Sequence, residues 1–334
     1  MSQTIEKRDP APQELRSLYA VIRDELGQVD ELLRRELTSE YPFVDELAQH
    51  GFRLGGKRLR PALVLLSGQL CGQITDAHLK LAAAVEMVHT ATLVHDDVLD
   101  EAALRRHLDT VNARWDNETS ILLGDYLFAK ALCLAASVEG SYAVRSLIEA
   151  SRRVCEGELR QVGACGDYDL AEAEYLEIID GKTAALCACC CEIGAFYAGA
   201  SEDDTAALTR FGGKLGIAFQ IVDDVLDVLG DEKTAGKSLG TDLVKQKPTL
   251  PLIRLLGQSS PDQRAEMIEI LSSTTDHHRE ALWPWLKDSD AIEYAKRKAT
   301  HFIEEASAEL ANWPDAPSKE SLVGIARFVI DRRQ

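Results

Sequence analysis

Apolar residues recur at helical spacing along almost the whole chain, and no segment shows the sustained apolar–polar alternation of a strand. The amphipathic segments are separated by short polar breaks, several of which contain glycine or proline. The sequence therefore predicts an all-α protein without a sheet. The predicted helices span residues 13–36, 41–50, 58–72, 77–101, 118–136, 139–164, 170–197, 203–230, 241–256, 261–272, 278–288, 290–311 and 318–332.

The residue composition changes once along the chain, close to its start. Residues 1–12 are polar and contain two prolines, which predicts a flexible N-terminal arm. No long linker follows, so we predict a single helical domain over residues 13–334. No run is long enough to span a membrane, and the first residues lack the apolar core of a signal peptide. We therefore expect a cytoplasmic protein.

Two acidic clusters have the same sequence, Asp-Asp-Val-Leu-Asp, at residues 96–100 and 223–227. In each cluster the first and last aspartates lie one helical turn apart on the same face, within segments that are apolar nearly all round. Stacked carboxylates repel each other, and a buried one is unfavourable without a cation. A solvated helical face would explain one cluster, but not two. We therefore predict that both bind divalent metals and face each other across a central cavity.

The formal net charge of −18 argues against a nucleic acid as partner, so local cations must bind any anionic substrate. Three basic segments are candidates, although ordinary surface charge explains any one of them equally well. They are residues 55–61, the pair Arg105-Arg106, and residues 237–247. His89 lies two helical turns before Asp96 on the same face. A lone histidine is more often a core residue, but this alignment favours a substrate contact.

Eight cysteines are present, and four of them crowd one predicted helix at positions 187, 189, 190 and 191. Cys187 and Cys190 have C-x-x-C spacing, but no second pair and no histidine lies nearby. Because a free cysteine behaves as a small apolar residue, we interpret the four as lining a helix contact.

These motifs together resemble the trans-isoprenyl diphosphate (polyprenyl) synthases, of the medium- or long-chain type. The resemblance runs from about Gly55 to Pro251. It rests on Gly-Gly-Lys-Arg-Leu-Arg-Pro at 55–61, both aspartate clusters, Arg105-Arg106, Ile-Asp-Gly-Lys-Thr-Ala at 179–184, Phe-Gln-Ile-Val-Asp-Asp at 219–224, Lys237 and Lys247. It implies an isoprenoid-synthase-type bundle that forms a homodimer. It also implies a Mg²⁺-dependent prenyltransferase that joins isopentenyl diphosphate to an allylic diphosphate (dimethylallyl, geranyl or farnesyl).

The resemblance also implies a role for each matching residue. About three Mg²⁺ ions in each active site would be held by the aspartates of the two clusters, namely Asp96, Asp97, Asp100, Asp223, Asp224 and Asp227. The allylic diphosphate would contact Arg105, Lys182, Lys237 and Lys247, and isopentenyl diphosphate would contact Lys57, Arg60, His89 and Arg106. Thr183 and Gln220 would point oxygens towards the reacting carbon, so that they complete a catalytic set with Lys182 and Arg105. No protein general base is implied.

The residues before the first cluster bear on product length. In short-chain members of the family, bulky aromatics plug the product channel four or five residues before the first aspartate. Here those positions are Thr92 and Ala91. Between Asp96 and Val85 about 16 Å of helix carries no aromatic. We therefore predict an all-trans product longer than about twenty carbons, which could partition into a membrane.

One segment departs from the family pattern. The family often has a Gly and then x-Pro-Thr after the arginine pair, whereas this chain reads His107-Leu108-Asp109-Thr110. We therefore expect a different geometry of this loop. Four alternatives stay open: a short-chain (farnesyl or geranylgeranyl) diphosphate synthase, a terpene cyclase, a non-catalytic subunit of a heteromeric synthase, and a purely structural bundle. Two complete clusters beside an isopentenyl diphosphate site argue against the last three.

Overall fold

The computed structural model describes residues 13–53, 56–229, 240–273 and 277–332. The predicted arm, Gly55 and Lys237 lie outside these residues. The described helices are α1 Gln13–Leu18, α2 Arg23–Leu37, α3 Pro42–Arg53, α4 Leu59–Cys71, α5 Asp76–Leu99, α6 Val111–Arg114, α7 Asn117–Ala136, α8 Tyr142–Gly163, α9 Glu172–Ile179, α10 Ala185–Tyr197, α11 Glu202–Leu229, α12 Thr241–Val244, α13 Leu250–Gln258, α14 Pro261–Leu271, α15 His278–Asp288, α16 Ala291–Glu309 and α17 Pro317–Asp331. A 3₁₀ turn spans Ala20–Ile22, and a π-helical turn spans Asp180–Ala184.

Three predicted helices are interrupted, one of them the helix 170–197, which the π-helical turn divides into α9 and α10. The 3₁₀ turn divides the predicted helix 13–36 into α1 and α2. The predicted helix 241–256 is two helices, α12 and α13, because Pro248 lacks a backbone N–H and restricts the residue before it. The predicted break before residue 118 contains the short helix α6.

The prediction that no sheet forms is wrong at one place. Strand β1, Leu104–Arg105, pairs antiparallel with strand β2, Leu108–Asp109. Arg106 and His107 connect the strands, with φ values of 52° and 63°. A two-residue hairpin turn of type I′ requires positive φ at both central residues, and glycine and asparagine favour this region most. The loop that departs from the family pattern is therefore a tight hairpin turn made by two non-glycine residues.

The chain forms two compact units, and the predicted extent of a single domain stays a prediction. Counting only the described residues, the first unit comprises those within 13–147, 190–205 and 314–325, and the second comprises those within 148–189, 206–313 and 326–332. In the first unit, α5 packs against α2, α4 and α7. Thr75 and His78 form a capping box at the start of α5. Nε2 of His78 lies 3.0 Å from the carbonyl oxygen of Gly194 and bonds to it, so the box also ties α5 to α10.

In the second unit, α13 packs against α9 and α16. Arg254 on α13 donates from Nε and Nη2 to the two carboxylate oxygens of Asp290, at 3.0 and 2.8 Å. Its guanidinium also lies over the ring of Tyr294, 4.4 Å from the centroid. Tyr294 in turn donates its hydroxyl hydrogen at 2.6 Å to Glu172, the first residue of α9. The start of α9 is thereby fixed against the C-terminal helices.

All eight cysteines are free thiols, and the four crowded ones are buried, as apolar packing requires. We expected no run long enough to span a membrane, but among the described helices α7 is long and apolar enough to cross one by length and composition. A core helix of a globular protein passes the same test, and 39% of the most apolar window of α7 is buried.

Candidate active site

The first acidic cluster lies at the end of α5. Asp97 is 2% exposed, and its Oδ1 accepts a hydrogen bond from Nε of Arg105 at 2.8 Å. Its Oδ2 is buried and has no hydrogen-bond partner among the described residues. Burial raises the pKa of Asp97 above its usual value, although the Arg105 guanidinium opposes this shift. The negative end of the helix dipole also disfavours carboxylates here, so the cluster is in a position that a cation would stabilise.

His89 lies on the same helix as the first acidic cluster, and four arginine side chains influence its charge state. The pKa of His89 lies well below its usual range. Burial is the largest cause, followed by the positive charges of Arg60, Arg106, Arg105 and Arg58. The imidazole is therefore neutral at pH 7. It adds a hydrogen-bonding group to an arginine cluster without adding charge, which suits contact with an anion.

Gly56 explains how the hairpin comes close to the segment before α4. A β-carbon at Gly56 would lie 2.6 Å from Nη1 of Arg106, so a larger residue here would displace the guanidinium from this position. Lys57 follows directly, and Arg60 lies in the first turn of α4. Nε of Arg60 is buried without a hydrogen-bond partner among the described residues. The structure thus gathers the residues assigned to isopentenyl diphosphate within the first unit.

The second acidic cluster lies near the end of α11, where Asp224 is 4% exposed. Its Oδ2 accepts the hydroxyl hydrogen of Tyr175 at 2.6 Å, and its Oδ1 accepts from Nε2 of Gln220 at 2.8 Å. Oε1 of Gln220 accepts from the hydroxyl of Thr183 at 2.6 Å. Burial, followed by the charge of Asp242, raises the pKa of Asp224 to about 7. A chain of three hydrogen bonds therefore fixes a carboxylate whose ionisation is disfavoured.

The outer aspartates of this cluster also have protein donors. Asp223 accepts from Nη2 of Arg332 at 2.5 Å, and the same nitrogen donates to the carbonyl oxygen of Phe219 at 2.9 Å. Asp227 accepts from the backbone N–H of Asp242 at 3.2 Å. Because a guanidinium already bonds Oδ1 of Asp223, a metal that binds this oxygen must compete with Arg332.

Lys182 lies in the π-helical turn, an irregularity that is frequent at functional sites. Its Nζ donates to Glu158 at 2.9 Å and to Gln161 at 2.7 Å, both on α8. A β-carbon at Gly157 would lie 2.9 Å from the carbonyl carbon of Gly181. Gly157 and Gly181 thus let the backbone of α8 contact the π turn directly, which fixes the position of Lys182 relative to α8.

Lys247 pairs with Asp242, with Nζ 3.4 Å from Oδ1. The remaining cation assigned to the allylic diphosphate, Lys237, lies outside the described residues. The sequence did not single out Asp242, Tyr175 or Arg332. Tyr175 had one signal, because a tyrosine within an apolar helical run usually has a partner for its hydroxyl. Arg332 had none.

The carboxylates fit a hard divalent cation by their chemistry, since Mg²⁺ prefers oxygen ligands. Within the described ranges, no three His, Cys, Asp or Glu side chains are already gathered around a common point. The buried Oδ2 of Asp97, for which no described residue provides a hydrogen-bond donor, and the disfavoured ionisation of Asp224 are the two features that a bound cation would relieve. The residues present therefore fit such a metal.

Comparison with known proteins places these residues in context. A family model described as polyprenyl synthetase matches residues 41–283. The all-trans-nonaprenyl-diphosphate synthase (geranyl-diphosphate specific) of Rhodobacter capsulatus is 36% identical over 318 residues, which cover 95% of this chain and 98% of that protein. The octaprenyl diphosphate synthase of Escherichia coli (strain K12) is 32% identical over 320 residues, which cover 95% of this chain and 99% of that protein.

A solved structure agrees with the sequence relatives. The polyprenyl synthase from Caulobacter crescentus CB15, complexed with calcium and isoprenyl diphosphate, superposes with a TM-score of 0.91 at 36% identity and covers 98% of this chain and 100% of that one. The predicted all-α, isoprenoid-synthase-type fold is confirmed, and so is the resemblance to medium- and long-chain synthases.

Proposed function

Because the chain belongs to the polyprenyl synthetase family and is a long-chain all-trans prenyltransferase, we propose that it condenses isopentenyl diphosphate with an allylic diphosphate. The observation that carries this proposal is a combination of acidic and basic residues found in each of the two units. Each has a metal-type acidic cluster with a buried aspartate, and each has cations near it. Dimethylallyl, geranyl or farnesyl diphosphate would serve as the allylic primer, and the product would exceed about twenty carbons.

We assign Mg²⁺ to the carboxylates of both clusters, with about three ions in each active site. Support comes from the buried oxygen of Asp97 that bonds to no donor in the described part of the chain, the disfavoured ionisation of Asp224, and the calcium in the related Caulobacter structure. When bound, Mg²⁺ supplies positive charge to the diphosphate of the allylic substrate. Asp96, Asp100, Asp223 and Asp227 would share this role.

The chain's own cations stabilise the diphosphate as its bond to the allylic carbon breaks. Lys182, Arg105, Lys237 and Lys247 are the residues assigned to this task. Lys182 is held by its two partners on α8, so its position does not depend on the substrate. A fixed charge of this kind needs no reorganisation during the reaction, which is why it lowers the barrier.

The allylic cation needs neutral oxygen atoms nearby and no bulk water. Thr183 and Gln220 offer such oxygens, and their mutual hydrogen bond fixes both side chains. Isopentenyl diphosphate, bound through Lys57, Arg60, His89 and Arg106, then presents its double bond to the cation. The departing diphosphate would accept the proton that is lost, so no side chain is assigned as a base.

A direct assay tests this function. Purified protein, farnesyl diphosphate, labelled isopentenyl diphosphate and Mg²⁺ are incubated, and the products are sized. We expect labelled products longer than about twenty carbons, and we expect a chelator to abolish them. Incorporation that stops at fifteen or twenty carbons would favour the short-chain alternative, and no incorporation would overturn the proposal.

The proposed assembly is a homodimer. Helix α7 exposes a stripe of residues spaced four, three, four and three apart, the spacing of a seam between two helices: Leu122, Tyr126, Ala129, Cys133 and Ala136. Leu122 is 61% exposed, and the stripe contains no charged residue. A second copy of α7 would bury it. A relative named heptaprenyl diphosphate synthase component 2, from Bacillus subtilis, is 34% identical, which raises the alternative of a different subunit.

Light scattering on the purified chain distinguishes these assemblies. We expect twice the chain mass of 36.7 kDa. A monomer that is inactive alone would favour a second, different subunit instead. The proposed location is the cytoplasm, which eight free thiols suit because that compartment is reducing.

A further inference from the structure

Arg58 differs from the cations beside it because its charge is directed into the protein. It is 8% exposed, whereas Lys57 and Arg60 keep partial exposure. Nε of Arg58 donates to Oδ1 of Asp30 at 3.0 Å, and Nη1 donates to Oε1 of Glu86. Glu86 is itself only 2% exposed. Two carboxylates therefore neutralise Arg58, and its charge is not directed at a substrate.

The backbone of Arg58 is in a conformation that only glycine adopts easily. Its φ and ψ are 57° and 32°, in the left-handed region, and it is the residue that precedes the first turn of α4. A side chain in this region is disfavoured unless its surroundings hold it there. The two ion pairs and the ring of Phe52, whose centroid lies 4.7 Å from the guanidinium carbon, provide that hold.

Glu86 connects this anchor to the helix that carries His89. The two residues are three apart on α5, so they lie about one turn from each other on the same side of that helix. The ion pair between Arg58 and Glu86 thus sets the spacing between the start of α4 and this turn of α5. Lys57 and Arg60 are on one side of that spacing, and His89 is on the other.

From this geometry we propose that Arg58 and Glu86 form a positioning pair for isopentenyl diphosphate. The pair holds Lys57 and Arg60 at the distance from His89 that binds one diphosphate group, and Arg58 does not touch the substrate. The inference rests on the proposed function. It adds two residues that determine the affinity for one of the two substrates through the shape of its site.

The test compares Arg58→Lys, Glu86→Gln and the double variant Arg58→Met/Glu86→Met. Each single change leaves an imperfectly paired buried group and lowers the melting temperature, whereas the double variant removes both buried charges and takes an ion pair only from Asp30, whose side chain is 29% exposed. The double variant therefore recovers the melting temperature. It still lacks the fixed spacing, so we expect its KM for isopentenyl diphosphate to rise roughly 10- to 100-fold. We expect its KM for the allylic diphosphate to stay within about twofold of the wild-type value.

Arg114→Met is the matched control, because it removes an exposed arginine–glutamate pair of the same unit. In that pair, Nη2 of Arg114 lies 2.7 Å from Oε1 of Glu46. Its KM values should be those of the wild type. Arg58→Lys, which keeps the charge but lacks the planar fork that lets separate guanidinium nitrogens bond Asp30 and Glu86, should have a KM between those of the wild type and the double variant.

The outcomes separate this inference from the proposed function. A wild-type protein that incorporates no isopentenyl diphosphate overturns the function and this inference with it. An active wild type, together with a folded double variant whose KM for isopentenyl diphosphate is unchanged, overturns this inference alone. An equal rise in both KM values also contradicts it, since a general loosening of the fold would affect both substrates.

Discussion

Replacement of Asp224 by asparagine is expected to lower kcat about a hundred- to a thousandfold. Asparagine has nearly the same shape and can still accept the hydrogen bond from Tyr175, although it loses the second acceptor oxygen that Gln220 uses in the wild type. It brings no negative charge to a metal ion, however. The diphosphate then loses much of the positive charge that stabilises it as a leaving group, and this interaction is made mainly in the transition state.

The same substitution is expected to leave the metal-free protein at least as stable as the wild type. Burial, followed by the charge of Asp242, raises the pKa of Asp224 from 3.8 to about 7. A raised folded-state pKa contributes stability below the unfolded value, and this contribution is lost as the pH rises through about 7. At pH 8 the wild type therefore has a buried charge that disfavours folding, whereas asparagine has none.

Three measurements check this prediction: steady-state turnover, the melting temperature without metal at pH 8, and the melting temperature with Mg²⁺. Mg²⁺ should raise the melting temperature of the wild type more than that of Asp224→Asn, because a ligand stabilises the state that binds it. Asp203→Asn is the matched control, since Asp203 is an exposed aspartate in the first turn of the same helix. Wild-type turnover in Asp224→Asn would exclude this carboxylate from the reaction.

Features that depend on local spacing were predictable from the sequence. The apolar pattern around Asp96 predicted α5, and the second copy of the Asp-Asp-Val-Leu-Asp motif predicted a second buried aspartate, on α11. Thr183 and Gln220, which the resemblance assigned to one task, are hydrogen-bonded to each other. The hairpin escaped prediction because its strands have two residues each, too few for an alternating pattern.

Features that depend on packing between distant segments were not predictable. Arg332 contacts Asp223 across 109 residues of sequence, and Tyr175 contacts Asp224 across 49. Neither contact follows from periodicity, because each depends on how helices that are not neighbours in sequence pack together. The neutralisation of Arg58 by Glu86 is of the same kind, since the motif alone gives three similar cations without showing which one is turned inward.

Phenylalanine at position 91 or 92 is expected to shorten the product from more than twenty carbons to about twenty or fewer. Helix α5 is continuous from Asp76 to Leu99, so these positions lie about 6 to 8 Å before Asp96 along its axis. The residues one and two turns further back, Val88 and Val85, are also small. If the growing chain extends along this side of α5, an aromatic ring close to the metal cluster stops growth after a few additions, while the chemistry at Asp96 is unaffected.

Thr92→Phe is the more informative of the two variants. Ala91 is buried, and a large side chain there costs about 1 to 3 kcal/mol through overpacking, whereas Thr92 is partly exposed and tolerates more volume. Leu93→Phe is the matched control, because it adds a ring at the next residue, about 100° further round the helix. Product sizing from farnesyl diphosphate and labelled isopentenyl diphosphate should show short products from Thr92→Phe and wild-type lengths from Leu93→Phe. A folded, active Thr92→Phe that still makes full-length product would place the channel along a different face of the helix.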